Sequence, residues 1–237
     1  MESNKIAIVT AGSRGIGRAV VLKLLAGGFE VITCSRSKTK LEALHLDAAR
    51  VAKNSALHSI PVDLSLKSGV DEFLHFANGI SKEVDLLVNN AGGFVPGKLS
   101  DEPDGALEDM IDINLYSAYR VTRGILPAMI KRKTGHIFNM CSVASVTPYV
   151  SGGSYCIAKF ALLGFSKVLR EEMKDQGIRV TSILPGATFS DSWEGVDLPE
   201  ERFMAADDIA ATVLNTYNLS SRTVVEEIML RPQLGDI

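Results

Sequence analysis

The chain has 237 residues, a net charge of −3 and an apolar fraction of 46%, which is typical of a folded globular protein. The near balance of charge argues against a nucleic-acid-binding protein, since such proteins carry a strongly basic face. Three scattered cysteines are too few for a disulfide framework or a zinc site, and no apolar run is long enough to span a membrane. The odd cysteine count and the lack of a signal-peptide pattern at residues 1–10 lead us to expect a cytoplasmic protein.

Short runs of branched apolar residues alternate along the chain with longer stretches of helical apolar spacing. The first half predicts strands at 5–10, 30–34, 57–62 and 84–88, and helices at 15–26, 38–53 and 66–80. The second half predicts strands at 135–141, 178–184 and 224–230, and helices at 102–131, 153–175 and 206–217. The helix at 102–131 is expected to break near Asn114.

This alternation predicts an α/β fold, in which about seven parallel strands form a doubly wound sheet with helices on both faces. An eightfold barrel is the rival fold, but it would need eight strand–helix units and no special first turn. The chain is expected to form a single domain over residues 1–237. The stretch 186–206 has no clear periodicity and is expected to be a loop that covers the substrate.

A glycine-rich turn, Thr-Ala-Gly-Ser-Arg-Gly-Ile-Gly at residues 10–17, joins the first predicted strand to the first predicted helix. Glycines let the backbone approach a pyrophosphate, and the helix N-terminus offers unpaired N–H groups to phosphate oxygens. The position of the turn separates it from an ordinary tight turn and decides against the barrel. We therefore predict a dinucleotide-binding Rossmann fold whose cofactor contacts Gly12, Ser13, Arg14, Gly15, Ile16 and Gly17.

The end of the second predicted strand indicates which dinucleotide is bound. An acidic residue there would hydrogen-bond the ribose 2′-hydroxyl of NAD, but this chain has Ser35 followed by Arg36. Arg36 and Arg14 offer guanidinium groups that suit the 2′-phosphate of NADP. The alternative is a pair of solvated surface arginines. We predict NADPH as the cofactor.

The glycine-rich turn resembles the Thr-Gly-x-x-x-Gly-x-Gly signature of the short-chain dehydrogenase/reductase family, with Ala11 in place of the first glycine. Asn89-Asn-Ala-Gly92 resembles the Asn-Asn-Ala-Gly motif of the same family, and Pro185-Gly186 resembles its Pro-Gly motif. The resemblance implies further cofactor contacts at Asp63, Leu64, Asn90, Ala91, Gly92, Pro185, Gly186, Thr188 and Ser190. A helix N-cap is the alternative role for Asp63, and a simple turn is the alternative for Ser190.

Residues suited to proton transfer cluster after the predicted strand at 135–141. Tyr155 and Lys159 form an i,i+4 pair, which places them on one face of the helix at 153–175. Ser142 directly follows the strand, and ligands bind at the carboxyl ends of strands in open parallel sheets. Together with Asn114, these residues match the four catalytic residues of the short-chain family in order and spacing.

These residue types predict hydride transfer from the nicotinamide to a carbonyl carbon. Tyr155 would be the general acid in reduction and the base in oxidation, with its pKa lowered by Lys159 and the oxidised nicotinamide. Ser142 would hold the carbonyl oxygen, and Lys159 would also bind the ribose hydroxyls. The resemblance implies that Asn114 kinks its helix and positions a water in a proton relay. No metal is expected.

The substrate pocket is expected to be bounded by Phe94, Val143, Tyr149 and Trp193, with Trp193 as either a lid or a packing anchor. The stretches 185–193 and 222–237 resemble bacterial sepiapterin-reductase-like members of the family. The favoured function is therefore NADPH-dependent reduction of a small-molecule ketone or aldehyde. A sepiapterin-type pteridine reductase and a non-catalytic NADP-binding sensor are the alternatives. The helices at 102–131 and 153–175 are apolar on more than one side, which predicts a homodimer or homotetramer.

Overall fold

The structure, a computed structural model, describes residues 5–52, 56–189 and 198–237. Within these residues, seven parallel strands form one sheet in the order β3-β2-β1-β4-β5-β6-β7. The strands are β1 (Ile6–Val9), β2 (Glu30–Ser35), β3 (Leu57–Pro61), β4 (Leu86–Asn89), β5 (Gly135–Met140), β6 (Ile178–Pro185) and β7 (Glu227–Leu230). The α-helices are α1 (Gly15–Ala26), α2 (Lys38–Val51), α3 (Lys67–Ile80), α4 (Ala106–Ile111), α5 (Ser117–Arg132), α6 (Gly153–Met173) and α7 (Ala206–Tyr217).

Helices cover both faces of the sheet because successive strand residues point to opposite sides. In β1, Ala7 and Val9 pack in one apolar layer with α1, α2 and α7, whereas Ile8 packs in the other layer with α3, α5 and α6. The predicted three-layer, doubly wound Rossmann fold is confirmed. The strand order reverses between β1 and β4, so a crevice at their carboxyl ends is the expected ligand site. No helix within the described ranges is long and apolar enough to cross a membrane.

The predicted helix at 102–131 is interrupted by a π-helical turn, Asp112–Tyr116, that lies between α4 and α5. The break expected near Asn114 is therefore found, and π turns of this kind occur frequently at functional sites. The last strand begins at Glu227 rather than at residue 224, because β7 pairs with β6 only from the Ser182–Glu227 pair onward.

A row of buried polar side chains crosses the middle of the sheet. Asn89, Asn139 and Ser182 lie in register on β4, β5 and β6. Asn89 Nδ2 donates to Asn139 Oδ1 and to Thr122 Oγ1 of α5, both at 2.8 Å. Asn139 Nδ2 and the Ser182 hydroxyl donate to Ser166 Oγ of α6, at 2.9 and 2.7 Å. These hydrogen bonds hold α5 and α6 against the sheet.

Candidate active site

A cavity of about 550 Å³ opens at the carboxyl ends of the strands, between the glycine-rich turn and α6. It brings together the four predicted catalytic residues and most of the predicted cofactor and substrate residues. The predicted residues that line it are Arg14, Gly15, Ile16, Gly17, Asn90, Gly92, Phe94, Asn114, Ser142, Val143, Tyr149, Tyr155, Lys159, Pro185, Gly186 and Thr188.

The predicted residues at the far end of the cofactor site lie outside this lining. Ser13 Oγ donates a hydrogen bond to Ser35 Oγ at 2.6 Å, which places the glycine-rich turn beside the end of β2. Arg36, the next residue, is exposed. Ser35 therefore lies beside the glycine-rich turn, and Arg36 follows it at the surface.

The remaining predicted cofactor residues differ in how they are used. Asp63 Oδ1 accepts hydrogen bonds from the N–H group of Ser65 at 2.9 Å and from its hydroxyl at 2.8 Å, so this carboxylate shapes the turn before α3. Leu64 and Ala91 are buried in the core layer that contains α3. Ser190 and Trp193 fall outside the described residues.

The glycine-rich turn relies on two kinds of backbone constraint. Ala11 and Gly15 have φ values of 54° and 50°, in the left-handed region that glycine adopts most easily. Ala11 stands where the family signature has glycine, and it keeps this conformation at a cost of about 1 kcal/mol. A Cβ atom at Gly12 would lie 2.2 Å from Thr33 Oγ1, so only glycine fits there.

Hydrogen bonds hold the glycine-rich turn against Asn90, the residue that follows β4. Asn90 Nδ2 donates to the carbonyl oxygens of Thr10 and Ala11, at 3.0 and 3.2 Å. A Cβ atom at Gly17 would lie 2.4 Å from Asn90 Nδ2, so Gly17 makes this approach possible. The first turn of α1 has no acidic residue, and its positive end faces the cavity, which favours an anion there.

The π turn directs Asn114 toward the loop that follows β4. Asn114 Nδ2 donates to the carbonyl oxygens of Gly93 and Met110, both at 3.0 Å, and Asn114 Oδ1 accepts from the Gly93 N–H group at 3.3 Å. A Cβ atom at Gly92 would lie 2.9 Å from Asn114 Oδ1 and 3.5 Å from Lys159 Nζ. Asn114 Oδ1 and Lys159 Nζ therefore both lie close to Gly92.

Ser142, Tyr155 and Lys159 meet at one wall of the cavity. Ser142 lies two residues after β5 and caps a short 3₁₀ turn, Val143–Ser145, where its Oγ accepts the Ala144 N–H group at 3.1 Å. Lys159 is 6% exposed, and its Nζ donates to the Met140 carbonyl oxygen at 2.9 Å. The same Nζ lies 5.8 Å from the centroid of the Tyr155 ring.

Burial shifts the pKa values of the two titratable side chains in this wall, Tyr155 and Lys159. It raises the pKa of the Tyr155 hydroxyl, and a hydrogen bond with Ser142 offsets part of that rise. It also lowers the pKa of Lys159 to about 8, with Cys141 as the smaller, opposing influence. Desolvation of the phenol is the largest influence on the Tyr155 pKa, ahead of the Ser142 hydrogen bond. Tyr155 therefore carries its proton at neutral pH.

Aromatic contacts join the predicted substrate residues to the catalytic wall. The ring of Phe94 meets the ring of Tyr155 edge to face, with centroids 5.0 Å apart, and lies 6.4 Å from the ring of Tyr149. Phe94 and Tyr149 are 44% and 46% exposed, so both present aromatic surface to an incoming molecule. The part of the cavity beside Tyr155 is therefore apolar and aromatic.

Sequence analysis did not identify Asp236 and Ile237 as lining residues. The Asp236 carboxylate pairs with Arg231, and its carbonyl oxygen accepts a hydrogen bond from Arg202 Nη2 at 3.4 Å. Gly235, with φ of 86°, turns the chain back toward the cavity just before these residues. A glycine near the end of the chain was the only sequence signal for this return.

Comparison with known proteins agrees with the geometry of the site. A model of the short chain dehydrogenase family matches residues 5–200. The sepiapterin reductase of Chlorobaculum tepidum is 32% identical over 98% of each chain, and an uncharacterized oxidoreductase of Staphylococcus epidermidis is 30% identical over 96% of this chain and 97% of its own.

Solved structures of oxidoreductases are also similar to this chain. A metagenomic short-chain oxidoreductase in complex with NADP has a TM-score of 0.84 at 30% identity, with 98% of each chain covered. An alcohol dehydrogenase from Thermococcus sibiricus complexed with 5-hydroxy-NADP has a TM-score of 0.88 at 26% identity, with 98% of this chain and 97% of that chain covered. The resemblance that the motifs indicate is thus confirmed, including its sepiapterin-reductase-like character, and the chain belongs to the short-chain dehydrogenase family.

Proposed function

We propose that the protein is an NADPH-dependent oxidoreductase that reduces a ketone or aldehyde to an alcohol. The observation that carries the proposal is that one cavity is lined both by the glycine-rich turn and by Ser142, Tyr155 and Lys159. The first feature suits a dinucleotide and the second suits proton transfer to a carbonyl oxygen. The NADP and 5-hydroxy-NADP complexes of the two solved relatives support the choice of cofactor.

The residues present fit an NADP molecule along the length of the cavity. The N-terminus of α1 would hold the pyrophosphate, and Arg14 and Arg36 would hold the 2′-phosphate beside Ser35. Lys159 would hold the ribose next to the nicotinamide. Pro185 and Gly186 would face the nicotinamide, Thr188 or Ser190 would contact its carboxamide, and Asp63 would contact the adenine.

The chain's own residues supply the proton chemistry. When bound, the reduced nicotinamide supplies a hydride to the carbonyl carbon, and negative charge develops on the carbonyl oxygen. Tyr155 donates its proton to this oxygen, and its raised pKa means that the phenol carries this proton at neutral pH. The Ser142 hydroxyl donates a hydrogen bond to the same oxygen. The Lys159 ammonium stabilises the tyrosinate that remains at Tyr155. Asn114, which lies beside Lys159, would position a water through which Tyr155 regains its proton.

A screen of NADPH oxidation tests this function. The compounds are ketones, aldehydes, diketones and sepiapterin, because the aromatic wall of Phe94 and Tyr149 suits a flat carbonyl compound and a relative is a sepiapterin reductase. We expect turnover of at least one class and a loss of about 10²-fold or more in kcat for Tyr155→Phe. Equal turnover in the two proteins would refute the acid role of Tyr155. A wild-type protein that binds NADPH and reduces none of them would instead be a sensor.

The NADPH preference has its own test at Arg36. Arg36→Ala should raise the KM for NADPH by about tenfold and leave the KM for NADH unchanged, because only NADPH carries the 2′-phosphate. Arg50→Ala is the matched control, since Arg50 is an exposed arginine on α2 that pairs with Asp47. A wild-type preference for NADH would overturn the assignment.

We also propose a homo-oligomer that forms through α5 and α6. Tyr119, Ile157, Phe160 and Val168 are 38%, 41%, 45% and 58% exposed on these helices. Further apolar residues of these helices, Ala118, Val121, Ile125 and Leu163, are buried within the chain itself. Light scattering coupled to size exclusion should show a dimer or tetramer that the double variant Phe160→Glu/Val168→Glu reduces to monomers. A monomeric wild-type protein would contradict this proposal.

A further inference from the structure

The loop after β4 is fastened to the start of α6 by the side chain of Glu102. Oε1 of Glu102 accepts the backbone N–H of Ser154 at 2.9 Å, and Oε2 accepts the Ser154 hydroxyl at 2.5 Å. The two segments are joined again nearby, where the Gly97 N–H group donates to the Ser151 carbonyl oxygen at 3.0 Å. The carboxylate is therefore one part of a continuous contact between the loop and the helix.

Glu102 takes the place of a local helix cap. The N-cap residue of α6 is Gly152, which has no side chain, although the first N–H groups of any helix lack partners within the helix. The Glu102 carboxylate satisfies the N–H group of Ser154 and lies at the positive end of the helix dipole. It performs from a distant loop the function that a Ser, Thr or Asp performs at most helix starts.

The surrounding backbone is shaped around this carboxylate. A Cβ atom at Gly153 would lie 2.2 Å from Glu102 Oε1, and a Cβ atom at Gly97 would lie 2.6 Å from Glu102 Cγ. Ser151 has φ of 67°, a left-handed conformation that persists in a non-glycine residue only where its surroundings enforce it. Two glycines and one strained residue thus allow the loop and the helix to meet at Glu102.

Tyr155 directly follows the residue that Glu102 holds. On its other side, the Tyr155 ring meets the ring of Phe94, which belongs to the same loop as Glu102. Any movement of this loop would therefore reach Tyr155 both through the helix start and through the Phe94 ring. We propose that Glu102 is a positioning residue for Tyr155, which keeps the phenol in place opposite Ser142. This inference deepens the proposed carbonyl reduction and rests on it.

Two measurements on Glu102→Ala test the inference. Hydrogen–deuterium exchange of the backbone at 153–156 should accelerate by about fivefold to tenfold, the effect of a lost helix cap. The kcat for carbonyl reduction should fall by about tenfold to a hundredfold, because small displacements of a reacting group have effects of this size. The KM for NADPH should not change, since Glu102 does not line the cavity.

Matched variants separate positioning from general stability. Asp101→Ala removes the neighbouring, exposed carboxylate and should change neither measurement. Glu102→Gln should restore much of the kcat, because its amide oxygen can still accept the Ser154 N–H group. Ser154→Ala removes only the hydroxyl bond and should show a smaller change of the same sign, and it replaces Glu102→Ala if that protein does not fold.

Two results would overturn the inference. One is unchanged exchange at the start of α6 in Glu102→Ala. The other is accelerated exchange with an unchanged kcat and an unchanged dependence of kcat on pH. A wild-type protein that reduces no carbonyl compound would overturn the proposed function instead, and the exchange comparison alone would then decide whether Glu102 holds the start of α6.

Discussion

His136 on β5 is a buried imidazole with one unsatisfied nitrogen. The Thr181 hydroxyl donates its only proton to the Val225 carbonyl oxygen at 2.6 Å, so at 2.8 Å it must accept the proton of His136 Nε2. Nδ1 is therefore unprotonated, and within the described ranges it has no hydrogen-bond partner. Burial, together with the nearby Arg179 charge, lowers the pKa of His136 to about 2.

We predict that His136 makes the folded state sensitive to mild acid. The unfolded chain has an ordinary histidine pKa of about 6.5 and binds a proton that the folded state does not accept. The contribution of His136 to stability is therefore complete above that pH and is lost progressively as the pH falls toward 2. Between about pH 7.5 and pH 5.0, this difference removes about 2 kcal/mol from the free energy of unfolding.

Urea unfolding of the wild type and of His136→Gln, at both pH values and one protein concentration, measures this loss. Glutamine can keep an N–H donor near the position of Nε2 for Thr181 and does not titrate. Between the two pH values, His136→Gln should lose about 2 kcal/mol less than the wild type. His75→Gln, at an exposed position on α3, should lose as much as the wild type. The same pH dependence in His136→Gln and the wild type would refute the reasoning.

Three further predictions concern the cavity. The kcat/KM for NADPH should fall as the pH rises through about 8, because Lys159 of the free enzyme then loses its charge. The residual kcat/KM of Lys159→Met should lack this fall in the same pH–rate measurement. Ala11→Gly should raise the free energy of unfolding by up to about 0.5 kcal/mol, because the relieved strain of about 1 kcal/mol exceeds the entropy that glycine adds to the unfolded chain, and a destabilised variant would contradict this. Gly12→Ala should lower the free energy of unfolding by about 2 kcal/mol, because its Cβ would collide with Thr33, and should weaken NADPH binding in a fluorescence titration. Unchanged stability of Gly12→Ala would show that the turn can move away from Thr33.

Sequence patterns predicted the helices and strands that are bounded by clear turn-forming residues. Helix α1 runs from Gly15 to Ala26 as predicted, because the glycine turn precedes it and two glycines follow it. The Ser142, Tyr155 and Lys159 set was also predictable, because helical spacing and the end of β5 are local features. Local pattern was therefore sufficient wherever neighbouring residues decide the conformation.

Sequence patterns could not predict long-range contacts or the degree of burial of a side chain. The bond between Glu102 and Ser154 depends on how two loops pack, and no spacing indicates it. The direction of the Tyr155 pKa depends on how completely the phenol is desolvated, which a motif does not report. The position of Asp236 at the cavity depends on contacts with Arg202 and Arg231 that form only in the folded chain.

The polar row formed by Asn89, Asn139 and Ser182 also determines which alignment of the central strands is allowed. Apolar strands in a parallel sheet could slide past one another by two residues and still bury similar side chains. Here such a shift would separate the Asn89 and Asn139 amides and leave Asn139 Oδ1 without the donor that it has at 2.8 Å inside an apolar layer. This unpaired group would cost about 1–3 kcal/mol. The row thus favours one strand alignment over its competitors, and that alignment brings the ends of β4, β5 and β6 together at the cavity.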